Sequence, residues 1–209
     1  MAVRTWAPRG QTPVLRVPLT HDHLSSISGI TPDGRLFLQV RPTSYDAAGV
    51  VGFLRVLMRK ISGKLVVIWD GSPIHRGQPI KDLLKRGSAK RLHLEQLPGY
   101  APDFNPDEGI WNYLKRVELG NICCCDLNQL QRELIRARER LRHKKEIIQS
   151  CSRQCGYSVV FVNDIGGQFR IRIGARDSFA YVTDNQIWGP SDPEKGKHLV
   201  FAHKKESHL

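Results

Sequence analysis

No stretch of this 209-residue chain approaches the roughly 18 consecutive apolar residues of a membrane-crossing helix, so no such span is expected. The opening residues, MAVRTWAPRGQTP, lack the apolar core of a secretion signal. None of the five cysteines (Cys123, Cys124, Cys125, Cys151 and Cys155) stands in a C-x-x-C pair. That argues against a zinc site and for a reduced, cytoplasmic protein. Negative charge is also scarce. Twenty Asp and Glu face 32 Lys and Arg, giving a net charge of +12 and a pI near 9.8. Such a surplus points to a polyanionic partner, above all nucleic acid. The hydrophobic fraction, 40%, is enough for a packed core and excludes global disorder.

The most informative stretch runs from Lys64 to Glu108. Leu65-Val66-Val67-Ile68-Trp69 is an unbroken apolar run, followed by Asp70 and the turn Gly71-Ser72-Pro73. A short β-branched run closed by turn residues reads as a strand buried on both faces. Ligands of open α/β sheets collect beyond the carboxyl ends of their strands, which is where Asp70 falls. Asn105-Pro106-Asp107-Glu108 reads as a helix start, with Asn as N-cap, Pro in the first helical position and Glu completing a capping box. Two carboxylates brought together, Asp70 and Glu108, could hold divalent metal for chemistry on phosphate. Each has a plainer use. Glu108 would serve the capping box, and Asp70 would cap its own turn through Ser72.

Around this stretch the spacing predicts a mixed sheet with helices packed on it. Residues 1–20 read as an extended lead-in or edge strand. Leu24–Ile30 and Arg35–Val40 form a hairpin about the turn Thr31-Pro32-Asp33-Gly34. Helices are expected over Tyr45–Lys60 and Pro79–Arg86, and a strand over Leu92–Leu97. A helix begins at Asn105 with Ile110, Trp111, Leu114 and Val117 on its apolar side. Trp69, Tyr100 and Trp111 are expected in the core. Leu127, Leu130, Leu134, Ala137 and Leu141 mark a further amphipathic helix whose outer face carries Arg132, Arg136, Arg138, Arg140 and Arg142. That face is either a solvated surface or a DNA contact. After Gly156 the character changes to short β-like runs and a polar tail, SDPEKGKHLVFAHKKESHL, expected to be loose. The domain boundary is expected near residue 156, with a core over 1–156 and an extension over 157–209.

WDGSPIH followed by LPGYAPDFNPDEGIWNYLK resembles the catalytic domain of DDE transposases, in the bacterial insertion-sequence branch of the mariner superfamily. The family patterns are an apolar strand with D-N-x-x-x-H, then L-P-x-Y-S-P-x-L-N-P-I-E-x-x-W. The likeness runs from about Arg4 to about Tyr157, with Gly71 where Asn is common. It implies a ribonuclease-H-like fold and three metal-binding acids holding Mg²⁺ or Mn²⁺, with the second acid on Asp70 and the third on Glu108. It implies DNA cleavage and strand transfer, with no small-molecule cofactor. The first acid belongs on the first strand of that fold, upstream of the match at Arg4. Asp22, Asp33 and Asp46 stand in a loop, a hairpin turn and a helix start instead. A chain shortened at its front is therefore expected, lacking its central first strand and prone to self-association through unpaired edges. His75, Arg76, Lys115, Arg132, Arg136 and Arg140 are the candidate nucleic-acid contacts. The alternative is a non-catalytic basic DNA-binding remnant of the same fold. A third is a free-standing nuclease that draws an acid from elsewhere.

Overall fold

A computed structural model describes residues 6–11, 14, 23–99, 101–160, 169–172, 179–182 and 197–208. Tyr100, Asp22 and most of the lead-in expected over residues 1–20 lie outside these. The hairpin forms as read. Strands β1 (His23–Ile30) and β2 (Leu36–Arg41) pair antiparallel, Ile30 against Leu36. Gly34 closes their turn at φ 86°, a conformation that glycine adopts without strain, and its N–H donates to the Thr31 carbonyl.

Helix α1 (Ala47–Lys60) follows, capped by Asp46, whose carboxylate accepts from the Gly49 N–H at 2.8 Å. Strand β3 (Lys64–Trp69) leads through a short turn to α2 (Gln78–Lys85), and β4 (Leu92–Gln96) lies parallel to β3. Helix α3 (Pro106–Tyr113) runs on into a π-helical turn at Leu114–Glu118. Helices α4 (Leu127–Arg142) and α5 (Lys145–Gln154) complete the helical part. The short runs read after Gly156 appear as β5 (Ser158–Val160), β6 (Phe169–Arg172) and β7 (Phe179–Val182), a separate three-stranded antiparallel sheet.

The main sheet departs from the expectation at its centre. Its order is β2-β1-β8-β3-β4, where β8 is Lys197–His208. Residues 197–208 of the tail expected to be loose form the middle strand. It pairs antiparallel with β1 from His23↔His208 to Ile30↔Phe201, and parallel with β3 from Lys64↔Lys197 to Trp69↔Ala202. The gap expected for a missing central strand is thus filled from downstream, and the sheet spans both sides of the boundary expected near residue 156. The result is a ribonuclease-H-like mixed sheet flanked by helices, as the resemblance implied.

Alternation along β3 distributes the core. Leu65, Val67 and Trp69 face α1 and α2, with Phe53, Leu54, Leu57, Ile80 and Leu83. Val66 and Ile68 face α3, α4 and α5, with Ile110, Trp111, Leu114, Leu134, Ala137, Leu141 and Ile148. Trp69 and Trp111 are buried, as expected. Val117 is not: it is 58% exposed. The π-helical turn adds a residue to the repeat, so the 3–4 spacing that put Val117 inward ceases to hold. Glu118 turns inward instead, its side chain 4% exposed, meeting Arg140 Nε at 2.6 Å and Lys144 Nζ at 2.6 Å.

Candidate active site

Strand β3 ends in Trp69, and the next carboxylate is held firmly. One oxygen of Asp70 accepts the Ser72 N–H at 2.9 Å, the Asx-turn contact read from the sequence. The same oxygen lies 3.1 Å from His75 Nδ1, which is also 3.0 Å from the Asp70 carbonyl. His75 is buried and stacks on Trp69, ring centroids 4.3 Å apart at 10°. A single Nδ1 proton can serve both Asp70 oxygens, so the imidazole acts as a brace for the end of the strand. Arg76 closes the turn by donating from Nη2 to the Gly71 carbonyl at 2.9 Å. A Cβ on Gly71 would stand 2.8 Å from Gln96 Nε2, so the residue in place of the family's Asn leaves room for that amide.

Glu108 comes from the first turn of α3. Asn105 caps this helix by accepting the Asp107 N–H at 3.2 Å, and Pro106 occupies the first helical position. The Asn105 N–H, which a capping-box glutamate would take, donates to the Pro102 carbonyl at 2.9 Å. Asp107 is fully buried and accepts the Ser28 hydroxyl, which itself accepts Trp111 Nε1 at 2.8 Å. Sequence reasoning passed over Ser28 and Asp107, although an acid inside a helix's first turn, one position before Glu108, was there to be read. The loop before α3 is tied by Tyr157, whose hydroxyl donates to the Phe104 carbonyl at 2.7 Å. Burial pushes that phenol's pKa well above its usual value.

Asp70 and Glu108 line one cleft of about 360 Å³, walled by Leu97, Pro98, Pro102 and Asn105. The two residues predicted to act together therefore share a cavity. Among the described residues no group of three His, Cys, Asp or Glu is arranged to hold a metal. The strand beside β3 adds no acid in register. Ala202 lies opposite Trp69, His203 is one step further and opposite Ser28, and Glu206 is opposite Ser25.

The other selected residues are scattered. Arg136 pairs with Glu133 at 2.6 Å and Arg140 with buried Glu118, while Arg132 is exposed on α4. Lys115 lies on the π-helical turn. Of the cysteines, Cys151 packs against Gly109, and burial raises the Cys155 thiol to about 11. A thiol so raised stays protonated near neutrality and is a poor metal ligand.

A sheet with an acid leaving its parallel strand and another opening the facing helix defines a ribonuclease-H-like domain with a carboxylate-lined cleft. The comparisons with known proteins then specify the family. The family model described as DDE superfamily endonuclease matches residues 2–131, more than half of the chain, which belongs to that family. The chain is also similar to a crystal structure of the Mos1 strand transfer complex, at 14% identity and a TM-score of 0.41. That match covers 73% of this chain and 50% of the other, so this chain spans about half its length. No curated protein sequence matches. No helix of the described residues is long and apolar enough to cross a membrane.

Proposed function

We propose that this chain carries out DDE-type phosphodiester chemistry on DNA, cleavage and strand transfer, at the cleft shared by Asp70 and Glu108. That shared cleft is the observation on which the reading rests. The donor set suits Mg²⁺ or Mn²⁺, since carboxylate oxygens are hard ligands and Mg²⁺ binds through one or two carboxylates plus phosphate and water. Asp70 and Glu108 would hold the ion. When bound, it would supply Lewis-acid activation of the phosphodiester and a more acidic attacking water. The chain's own groups keep the two acids in place. Ser72 N–H and His75 Nδ1 fix the Asp70 carboxylate, and stacking on Trp69 fixes the imidazole. Asn105 and Pro106 start the helix that presents Glu108.

One observation favours a second reading, a basic DNA-binding domain that keeps the fold without the chemistry. The strand paired with β3 offers no acid beside Asp70: Ala202 lies opposite Trp69 and the next residue is His203. Nicking of supercoiled plasmid and joining of oligonucleotide ends in Mg²⁺ or Mn²⁺ separate the two. Metal-dependent product that disappears in both Asp70→Ala and Glu108→Ala supports the first reading. Salt-sensitive binding with no product in either metal supports the second.

A further inference from the structure

A second cleft, of about 450 Å³, opens at the opposite end of strand β3. It is lined by Arg55, Met58 and Arg59 of α1 and by Arg86, Gly87 and Arg91 after α2. Strand β3 begins there at Lys64, whereas Asp70 follows its other end. Six residues at roughly 3.3 Å each put about 20 Å between the two clefts.

The charges in this cleft fall into two groups. Arg91 is committed: its guanidinium donates to the carbonyls of Gly63 at 3.0 Å, Met58 at 3.1 Å and Ile61 at 2.9 Å. It thereby caps the carboxyl end of α1 and forms the floor. Arg55, Arg59 and Arg86 are exposed, and none has a carboxylate partner among the described residues. The nearby acid, Asp82, accepts Gln78 Nε2 at 2.7 Å. Between Arg55 and Arg91 the sequence holds ten Lys and Arg against two acids, Asp70 and Asp82, and Asp70 is at the far end.

Helix dipoles do not account for this concentration. Their effect is confined to the last turn, which in α1 carries Arg59 and Lys60, and Arg91 already meets the terminal carbonyls. Arg55 lies a turn earlier, on the same face as Arg59, with about 6 Å between their Cβ atoms. Of the α4 arginines selected from the sequence, Arg136 and Arg140 are matched by Glu133 and Glu118. At this cleft, by contrast, three exposed guanidinium groups stand together with no carboxylate partner among the described residues.

We infer that Arg55, Arg59 and Arg86 form a second DNA site, which holds the phosphate backbone of a duplex segment other than the one reaching Asp70 and Glu108. Three guanidinium groups along one face, with no acid among them, match a run of phosphates rather than a protein surface of mixed charge. With no donor set aimed at base edges, binding there is independent of sequence. The site works without metal and does not depend on the cleft acids. Only the choice of DNA as the polyanion rests on the function proposed above.

The test is fluorescence anisotropy of the full chain on a duplex of about 30 base pairs, in EDTA, across a salt series. The variant is Arg55→Gln/Arg59→Gln/Arg86→Gln, checked for an unchanged melting temperature. Three lost phosphate contacts lower the slope of log K against log salt by about 2.7, equally on unrelated sequences. Arg55→Lys/Arg59→Lys/Arg86→Lys keeps most of the slope. An unchanged slope and affinity in the glutamine variant overturn the inference, as does wild-type chain that binds polyglutamate but not DNA. Failure of cleavage with the slope intact counts against the proposed chemistry alone.

Discussion

The Ser28 hydroxyl stands between β1 and α3, accepting from Trp111 Nε1 at 2.8 Å and donating to the buried carboxylate of Asp107. A strand serine thus sets the position of the helix turn that carries Glu108. Ser28→Ala takes a donor from a buried carboxylate and an acceptor from an indole. The expected cost is about 2–3 kcal/mol, read as a lower midpoint in urea unfolding. Ser28→Thr keeps the hydroxyl and recovers most of that loss. A midpoint unchanged in the alanine variant would show that this linkage carries no stability.

Glu118 provides a pH-dependent test. Burial alone would raise its pKa, but hydrogen bonds and charge from Lys144 and Arg140 outweigh that and hold it below the usual value. A depressed carboxylate contributes stability that is fully present above its unfolded pKa, about 4.3, and lost as pH falls through the folded value. The chain is therefore expected to lose stability below about pH 4, and Glu118→Gln to flatten that limb. The variant costs about 1–2 kcal/mol at pH 7, a modest figure because both cations are partly hydrated. Thermal melts from pH 3 to 7 check both statements.

His75 should matter to the cleft out of proportion to its distance from any substrate. His75→Ala removes the Nδ1 contact with Asp70 and leaves a hole against Trp69. The expected cost is about 2–4 kcal/mol of stability. His75→Gln, which can still donate, should retain more metal affinity than the alanine variant, measured by Mn²⁺ titration with electron paramagnetic resonance. Equal affinities in the two variants would remove the brace role.

The acids themselves are tested by charge removal without loss of shape. Asp70→Asn and Glu108→Gln are each expected to reduce metal-dependent nicking by on the order of a thousandfold while leaving the melt within about 1 kcal/mol. Retention of more than a tenth of the activity in either would exclude a shared catalytic role.

Much of this organisation was legible from local signals. The turn about Gly34, the apolar run ending at Asp70 and the Asn105-Pro106 helix start each depend on a few adjacent residues, and each stands where it was read. The tail was not legible. A central strand is usually an apolar run, but eight of the twelve residues of KHLVFAHKKESH are polar or charged, and its place is set by pairing with residues more than a hundred positions away. The polar half runs beside Ser25, Ser26 and Ser28, which are buried, so the partner strand is polar at the same registers. Val117 was misplaced because one π-helical turn breaks the period on which the reading relied. The pairing of Arg140 could not be read locally, because the carboxylate facing it comes from another element.

Because β8 lies between β1 and β3, neither strand has its inner neighbour until residues 197–208 have left the ribosome. The hairpin of β1 with β2 and the pair of β3 with β4 must wait, separately, through the synthesis of all the helices. Closing so long an interval makes assembly slow, and nascent chains depend on protection of those half-paired strands in the meantime.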